Sequence, residues 1–155
     1  MDPPLSTNMT TPFTIREGTI SEVIKIAQQI PEFHSSYPIE EYQRRLKDVR
    51  HLILVAWDNQ IPIGFKVGYQ LLTNQVFYSW MGGVLPSYRQ QQIAWHLARR
   101  QEKWAKEQGF THIRFKTRNY LKPMLIFGLK NGFNIVEVIP KDDINDYRIV
   151  LEKLL

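Results

Sequence analysis

The chain has no cysteine among its 155 residues, which excludes disulfides, thiolate nucleophiles and thiolate metal sites. That fits a reducing compartment, and a cytoplasmic location is the expectation. No apolar run approaches the roughly 20 residues that a membrane-spanning helix needs, so no membrane partner is expected. His51, His96 and His112 are scattered without the spacing of a metal cluster, and no metal is expected. Neither sign of charge dominates: 20 Lys and Arg stand against 15 Asp and Glu, an excess of +5. Such an excess attracts an anion, and a polyanionic small molecule explains it as well as a polynucleotide does. The sequence has no basic strand interleaved with aromatics and no recognition motif, so no nucleic-acid partner is expected. Residues 1–12 hold three prolines among Ser, Thr and Asn, without a signal-peptide core. They read as a flexible N-terminal tail ahead of a single domain over 13–155.

What is present is a sequence of alternating periods. Phe13 to Glu17 alternates as a short strand ended by Gly18, and Thr19 or Ser21 can cap the helix that follows. Ile20, Val23, Ile24, Ala27 and Ile30 recur at helical spacing up to Pro31. A polar and aromatic loop leads to Pro38, which opens a second helix over 39–47. Residues 51–57, 61–72 and 75–85 read as three strands joined by short turns, hence an antiparallel meander. A helix to Gly109 follows, then a strand over 111–117, which a helical crossover allows to lie parallel to its neighbour. A short helix over 124–130 and strands over 134–139 and 147–151 complete the chain. The fold class is α/β: a mixed, mostly antiparallel sheet of about seven strands with about four helices packed on it.

The period changes from two to 3.6 between Trp80 and Trp95, through Gly82-Gly83, Pro86 and the start of the long helix. Two glycines inside a strand mark a bulge or a close approach, and a ligand could fill the gap they leave. The free amides of the helix beyond them, from Arg89 to Ala94, make an anion site, and Arg89 can add a charge-assisted bond. Trp95 and Trp104 read as packing residues, and the Arg99-to-Lys106 face as solvated surface.

Val84-x-Pro86-x-Tyr88-Arg89-x-x-Gln92-Ile93-Ala94-x-x-Leu97, followed by a strand and by Lys130-Asn131-Gly132-Phe133, resembles the acetyl-CoA-binding segment of the GCN5-related N-acetyltransferases. The order of elements extends the resemblance over about residues 13–151. It implies a sheet splayed between the fourth and fifth strands, an acetyl-CoA donor, and backbone groups at Val84 and Leu85 that pair with the pantetheine arm. It also implies that the amides of Arg89, Gln90, Gln91, Gln92, Ile93 and Ala94 hold the pyrophosphate. Asn119 resembles the asparagine that contacts the pantetheine, with Leu121 the alternative because the spacing to Gly132-Phe133 is longer than usual. Gln92 stands where the family usually has glycine. Gly128 stands where many members carry the tyrosine that protonates the departing thiolate.

The reaction the resemblance implies is attack of a neutral primary amine on the thioester, through an oxyanion stabilised by strand amides. The acceptor would be a small molecule or a protein amine, and a homodimer is compatible with the fold. A base must first deprotonate the ammonium. Candidates are Glu32, His34, Glu40 and Glu41, or a water chain, with Tyr78 and Tyr120 as substitute acids; His34 reads as an exposed loop histidine more readily than as a base. Phe33, Tyr37, Tyr69 and Tyr78 suggest a partly apolar acceptor pocket, or simply core. The alternative function is a coenzyme A-binding sensor or interaction module with little or no catalysis, in line with the missing tyrosine and the altered glycine.

Overall fold

A computed structural model describes residues 12–33, 36–71 and 75–155. The tail expected over 1–12 lies, apart from Pro12, outside the described residues, as does His34. Seven strands form one sheet: β1 (Thr14–Glu17), β2 (His51–Asp58), β3 (Ile61–Gln70), β4 (Val76–Val84), β5 (His112–Arg118), β6 (Asn134–Ile139) and β7 (Arg148–Leu154), in the order β1-β2-β3-β4-β5-β7-β6. The helices are α1 (Ile20–Ala27), α2 (Ile39–Leu46), α3 (Ile93–Glu107) and α4 (Lys122–Lys130). Every pairing is antiparallel except β4 with β5, which the α3 crossover makes parallel.

Side-chain alternation assigns the helices to opposite faces. Phe65 and Gly83 face α1, where Phe33 lies 6.3 Å from the Phe65 ring. Gly64 faces Ile93 of α3, and Phe77 meets Trp104 of α3 at 5.4 Å. Phe115 and Leu151 pack under Gly128 of α4 on that same side. The core between these layers is apolar and closed, with Phe65, Phe77, Ile26, Ile63, Ile93 and Leu97 essentially inaccessible. The amphipathic spacing read from the sequence is therefore what buries α1 and α3.

Element ends moved where tertiary pairing decided them. The first helix stops at Ala27, and Ile30 closes a turn by donating to the Ala27 carbonyl at 3.1 Å. Thr19 is its cap: its hydroxyl accepts from Glu22 N at 3.2 Å, while the Glu22 carboxylate accepts from Thr19 N at 2.8 Å. The last strand runs to Leu154, beyond the expected 151, because β5 pairs with it from His112↔Leu154 to Arg118↔Arg148. Polar Glu152 and Lys153 hid that continuation, although each meets a charge of opposite sign, Arg114 and Glu102.

The splay between the fourth and fifth strands is present. The β4–β5 ladder holds only Val76↔His112, Phe77↔Ile113 and Tyr78↔Arg114, and beyond Tyr78 the two strands part. A bulge lies at that point: Val67 pairs with Met81 and Gly68 with Ser79, leaving Trp80 as an extra residue. A bulge bends its strand and increases the local twist, which turns β4 away from β5.

Candidate functional site in the splayed sheet

The parted half of β4 exposes one edge of its backbone. Leu85 N donates to Ile63 O at 2.9 Å, so the Leu85 amide turns inward to β3 and, by the alternation of an antiparallel ladder, the polar groups of Val84 and Gly82 turn outward. Leu85 O is also taken, by Tyr88 N at 2.9 Å. Of the two residues expected to offer backbone bonds, Val84 therefore faces the opening and Leu85 does not; Gly82, exposed in mid-sheet, is the second outward residue. The gap expected at the glycine pair is filled by protein at Gly83, where an added Cβ would stand 2.6 Å from Ile30 Cδ1. The irregularity itself lies earlier, at Trp80.

At the end of β4 a short 3₁₀ turn, Pro86–Tyr88, redirects the chain into α3. Gln90 and Gln92 both have left-handed backbones, with φ of 62° and 66°. The glycine that the family has at the second position is thus explained by conformation: an L side chain costs about 1 kcal/mol there. No side chain caps α3 and no acid occupies its first turn, in contrast to the Thr19–Glu22 box of α1. The first amides of a 15-residue helix are therefore left for solvent or an anion. Ile93 itself is buried against the sheet, while Gln92 and Ala94 are exposed.

Arg89 differs from the free phosphate ligand expected. Its guanidinium forms a two-pronged ion pair with Glu32, at 2.7 and 3.0 Å, and its Nε donates to Val84 O at 3.1 Å. Close packing of Ile30 and Phe33 on Gly83 brings the Glu32 segment to this end of β4. Glu32, a candidate base, is thereby a charge partner of the candidate phosphate ligand.

On the β5 side, Asn119 ties the turn to its surroundings: its Nδ2 donates to Ile144 O at 3.1 Å and its Oδ1 accepts from Lys122 Nζ at 3.2 Å. Thr117, in the parted half of β5, has a buried hydroxyl with no partner among the described residues, as does the carboxamide of fully buried Gln101 on α3. Gly128 is filled by its neighbours, since a Cβ there would sit 2.6 Å from Phe115 Cζ. Tyr120 stands exposed after β5.

Across the sheet, on the α2 face, the bulge turns Trp80 toward Tyr42 (4.9 Å), Tyr37 (5.3 Å) and Tyr69 (6.0 Å). Tyr78 meets Tyr69 edge-on at 5.5 Å. Burial, then the neighbouring Tyr69, pushes the Tyr78 hydroxyl above its usual range, so it stays protonated and suits an acid. Glu41 does not suit a base: hydrogen bonds from Arg44 and Arg45 bring its carboxyl down to about 2. Arg45 also donates to the Tyr69 hydroxyl at 2.8 Å and stacks 4.4 Å above Trp80. Glu40 lies on the same first turn of α2. Sequence reasoning missed Trp80, Arg45 and Lys66. Lys66 reaches over Gly82 on the α3 face, and enclosure brings its ammonium down to about 8 against an opposing pull from Glu102. Only the Lys66–Gly82 pairing, invisible before the register is known, could have signalled it. Among the described residues no group of acidic, His or Cys side chains could hold a metal.

A sequence model of the acetyltransferase (GNAT) family matches residues 20–133. No curated protein matches the chain in sequence. The ribosomal-protein-S18-alanine N-acetyltransferase of Escherichia coli shares the fold with a TM-score of 0.78 at 15% identity, covering 92% of this chain and 94% of that one. The PaiA N-acetyltransferase of Thermoplasma acidophilum, solved in complex with coenzyme A, gives 0.70 at 20% identity over 93% and 99% of the two chains. Ard1 of Thermoplasma volcanium gives 0.77 at 17% identity over 92% and 97%.

Proposed function

Because the chain belongs to the acetyltransferase (GNAT) family, we propose that it transfers an acetyl group from acetyl-CoA to a primary amine, the acceptor binding on the α2 face of the splay. The observation that carries this reading is the uncapped, acid-free N-terminus of α3, next to a β4 edge whose outward groups at Gly82 and Val84 have no strand partner. The residues present fit the donor. Amides from Gln90 to Ala94 would hold its pyrophosphate, with Arg89 after it exchanges Glu32, and the outward β4 edge would hold the pantetheine amides. The orphaned Thr117 hydroxyl is a further donor on the facing strand. Asn119 would keep its structural bonds and support the turn.

When bound, the donor supplies an activated acyl group, and the protein orients the amine and manages protons. Tyr78 is assigned as the proton donor to the leaving thiolate, since Gly128 cannot serve and the Tyr78 hydroxyl resists ionisation. Of the candidate bases, Glu40 remains on the described acceptor side. Glu41 is too weak a base, and Glu32 is the counter-charge of Arg89 until the donor binds; Tyr120, the other candidate acid, is exposed. A small or protein amine is in keeping with relatives of this fold, one of which is a ribosomal-protein-S18-alanine N-acetyltransferase.

Calorimetry with acetyl-CoA, followed by free-thiol release across an amine panel, tests the reading. Binding with amine-dependent thiol release is the expected result. Tight binding with an intact thioester for every amine would instead favour a coenzyme A-binding module.

A further inference from the structure

The α2 face continues past Tyr78 onto β5 and β7, and the register fixes what stands there. Cross-strand partners share a face, so Tyr78↔Arg114, Lys116↔Val150 and Arg118↔Arg148 put Lys116, Arg118 and Arg148 on the Tyr78 side. The helix nearest this part of the sheet, α4, packs on the opposite face through Gly128. Arg114 is neutralised by Glu152 at 2.7 Å, and Arg45 by Glu41 at 2.8 Å. Lys116, Arg118 and Arg148 have no carboxylate within ion-pair reach among the described residues; Arg118 only donates to the Asp146 carbonyl. Lys116 Nζ sits 5.5 Å from the Tyr78 ring centroid, and Arg148 is near enough to favour the anion of the Tyr78 hydroxyl. An aromatic floor thus ends in a cationic rim at the point where the sheet parts.

We propose that the amine acceptor carries an anionic group, a carboxylate or phosphate, on a flat or apolar body: the body lies on Trp80, Tyr69 and Tyr78, and Lys116 and Arg148 take the anion. The inference rests on the acetyltransferase reading of this site and names its substrate class. In the transfer the amine nitrogen forms a C–N bond with the acyl carbon as the C–S bond breaks. Starting from the ammonium, one proton goes to solvent or a base before attack. A second leaves the nitrogen of the tetrahedral adduct and balances the proton with which the sulfur departs as thiol, and the third stays on the amide nitrogen. A second cation on the acceptor would meet the uncompensated rim, whereas an anion is drawn to it and holds the acceptor across the parting strands.

The test uses the full chain and three matched amines: 4-(aminomethyl)benzoate, benzylamine and 4-(aminomethyl)benzylamine. An acidic and a basic peptide with the same free N-terminal residue are added to separate small-molecule from polypeptide acceptors. The benzoate, the acidic peptide or both should exceed their neutral and cationic counterparts at least tenfold in kcat/KM for thiol release, through KM. R148E and K116E should reduce that discrimination tenfold or more while acetyl-CoA affinity by calorimetry stays within twofold. Titration of the intrinsic tryptophan fluorescence with the benzoate should saturate in the parent and weaken at least tenfold in R148E, and W80F should remove the change. Equal rates for the three charges, a preference for the cation, or discrimination unchanged in both variants would overturn the proposal. In any of these cases amine-dependent thiol release would leave the acetyltransferase reading intact. No thiol release with any amine would overturn both.

Discussion

Replacing Glu32 by glutamine should tighten acetyl-CoA binding, because the structure sets this carboxylate against the arginine that the donor's phosphates need. The Arg89–Glu32 pair is two-pronged, at 2.7 and 3.0 Å, but its side chains are 40% and 49% exposed. Exposed pairs are worth about 0.2–1 kcal/mol, and the good geometry puts this one near the upper end. Breaking it before the phosphates can bind would weaken association by that amount, which is about two- to fivefold in Kd. E32Q should therefore lower the acetyl-CoA Kd by about that factor at low ionic strength. The gain should shrink as salt is added, since the Debye length falls to about 8 Å at 0.15 M. R89E should raise Kd several-fold, and E32Q should bring no gain in an Arg89→Ala background. Isothermal calorimetry at two salt concentrations reads all of these. An unchanged or weaker affinity in E32Q, or an equal gain with Arg89 absent, would refute the reasoning. The same variant tests the candidate base: retained kcat removes Glu32 from proton transfer, and a collapse of kcat would restore it.

Q92G should raise stability by about 1 kcal/mol, a Tm increase of about 2–4 °C by calorimetry, because glycine takes φ near 66° without strain. G128Y should not supply the family's acid. Its Cβ would meet Phe115 Cζ at 2.6 Å and Leu151 Cδ2 at 3.3 Å, so denaturant midpoints should show a loss of about 1–3 kcal/mol without a rate gain. Lys66 titrates near 8 when folded against 10.5 unfolded, so the unfolded chain binds more protons between those values. Stability should rise with pH across that window by about 1–2 kcal/mol, after allowance for the lysine's partial exposure. K66M should be more stable at pH 7 and should lose that rise in urea midpoints measured between pH 7.5 and 10.

The sequence by itself determined the order of elements and the place of the strand-to-helix turn, because both follow from local rules. Spacings at Ile20, Val23, Ala27 and at Ile93, Leu97, Ala105 fix amphipathic faces, and Asp58-Asn59-Gln60 closes a hairpin that can only be antiparallel. The residues from Val84 to Leu97 carried the family resemblance, and with it the splay, since they run consecutively from the end of β4 through the 3₁₀ turn into α3. The tertiary structure decided everything that depends on strand register or on distant segments meeting. Whether Val84 or Leu85 faces the opening follows from which of them bonds to Ile63, twenty-two residues earlier in the chain. Glu32 reaches Arg89, 57 residues later, only because Gly83 admits Ile30 and Phe33. The cationic rim required Lys116 and Arg148 to share a face with Tyr78, and two strands paired one residue out of step would have put them on opposite faces. Local propensity carries no information about such contacts, because they form only when long-range pairing closes the sheet.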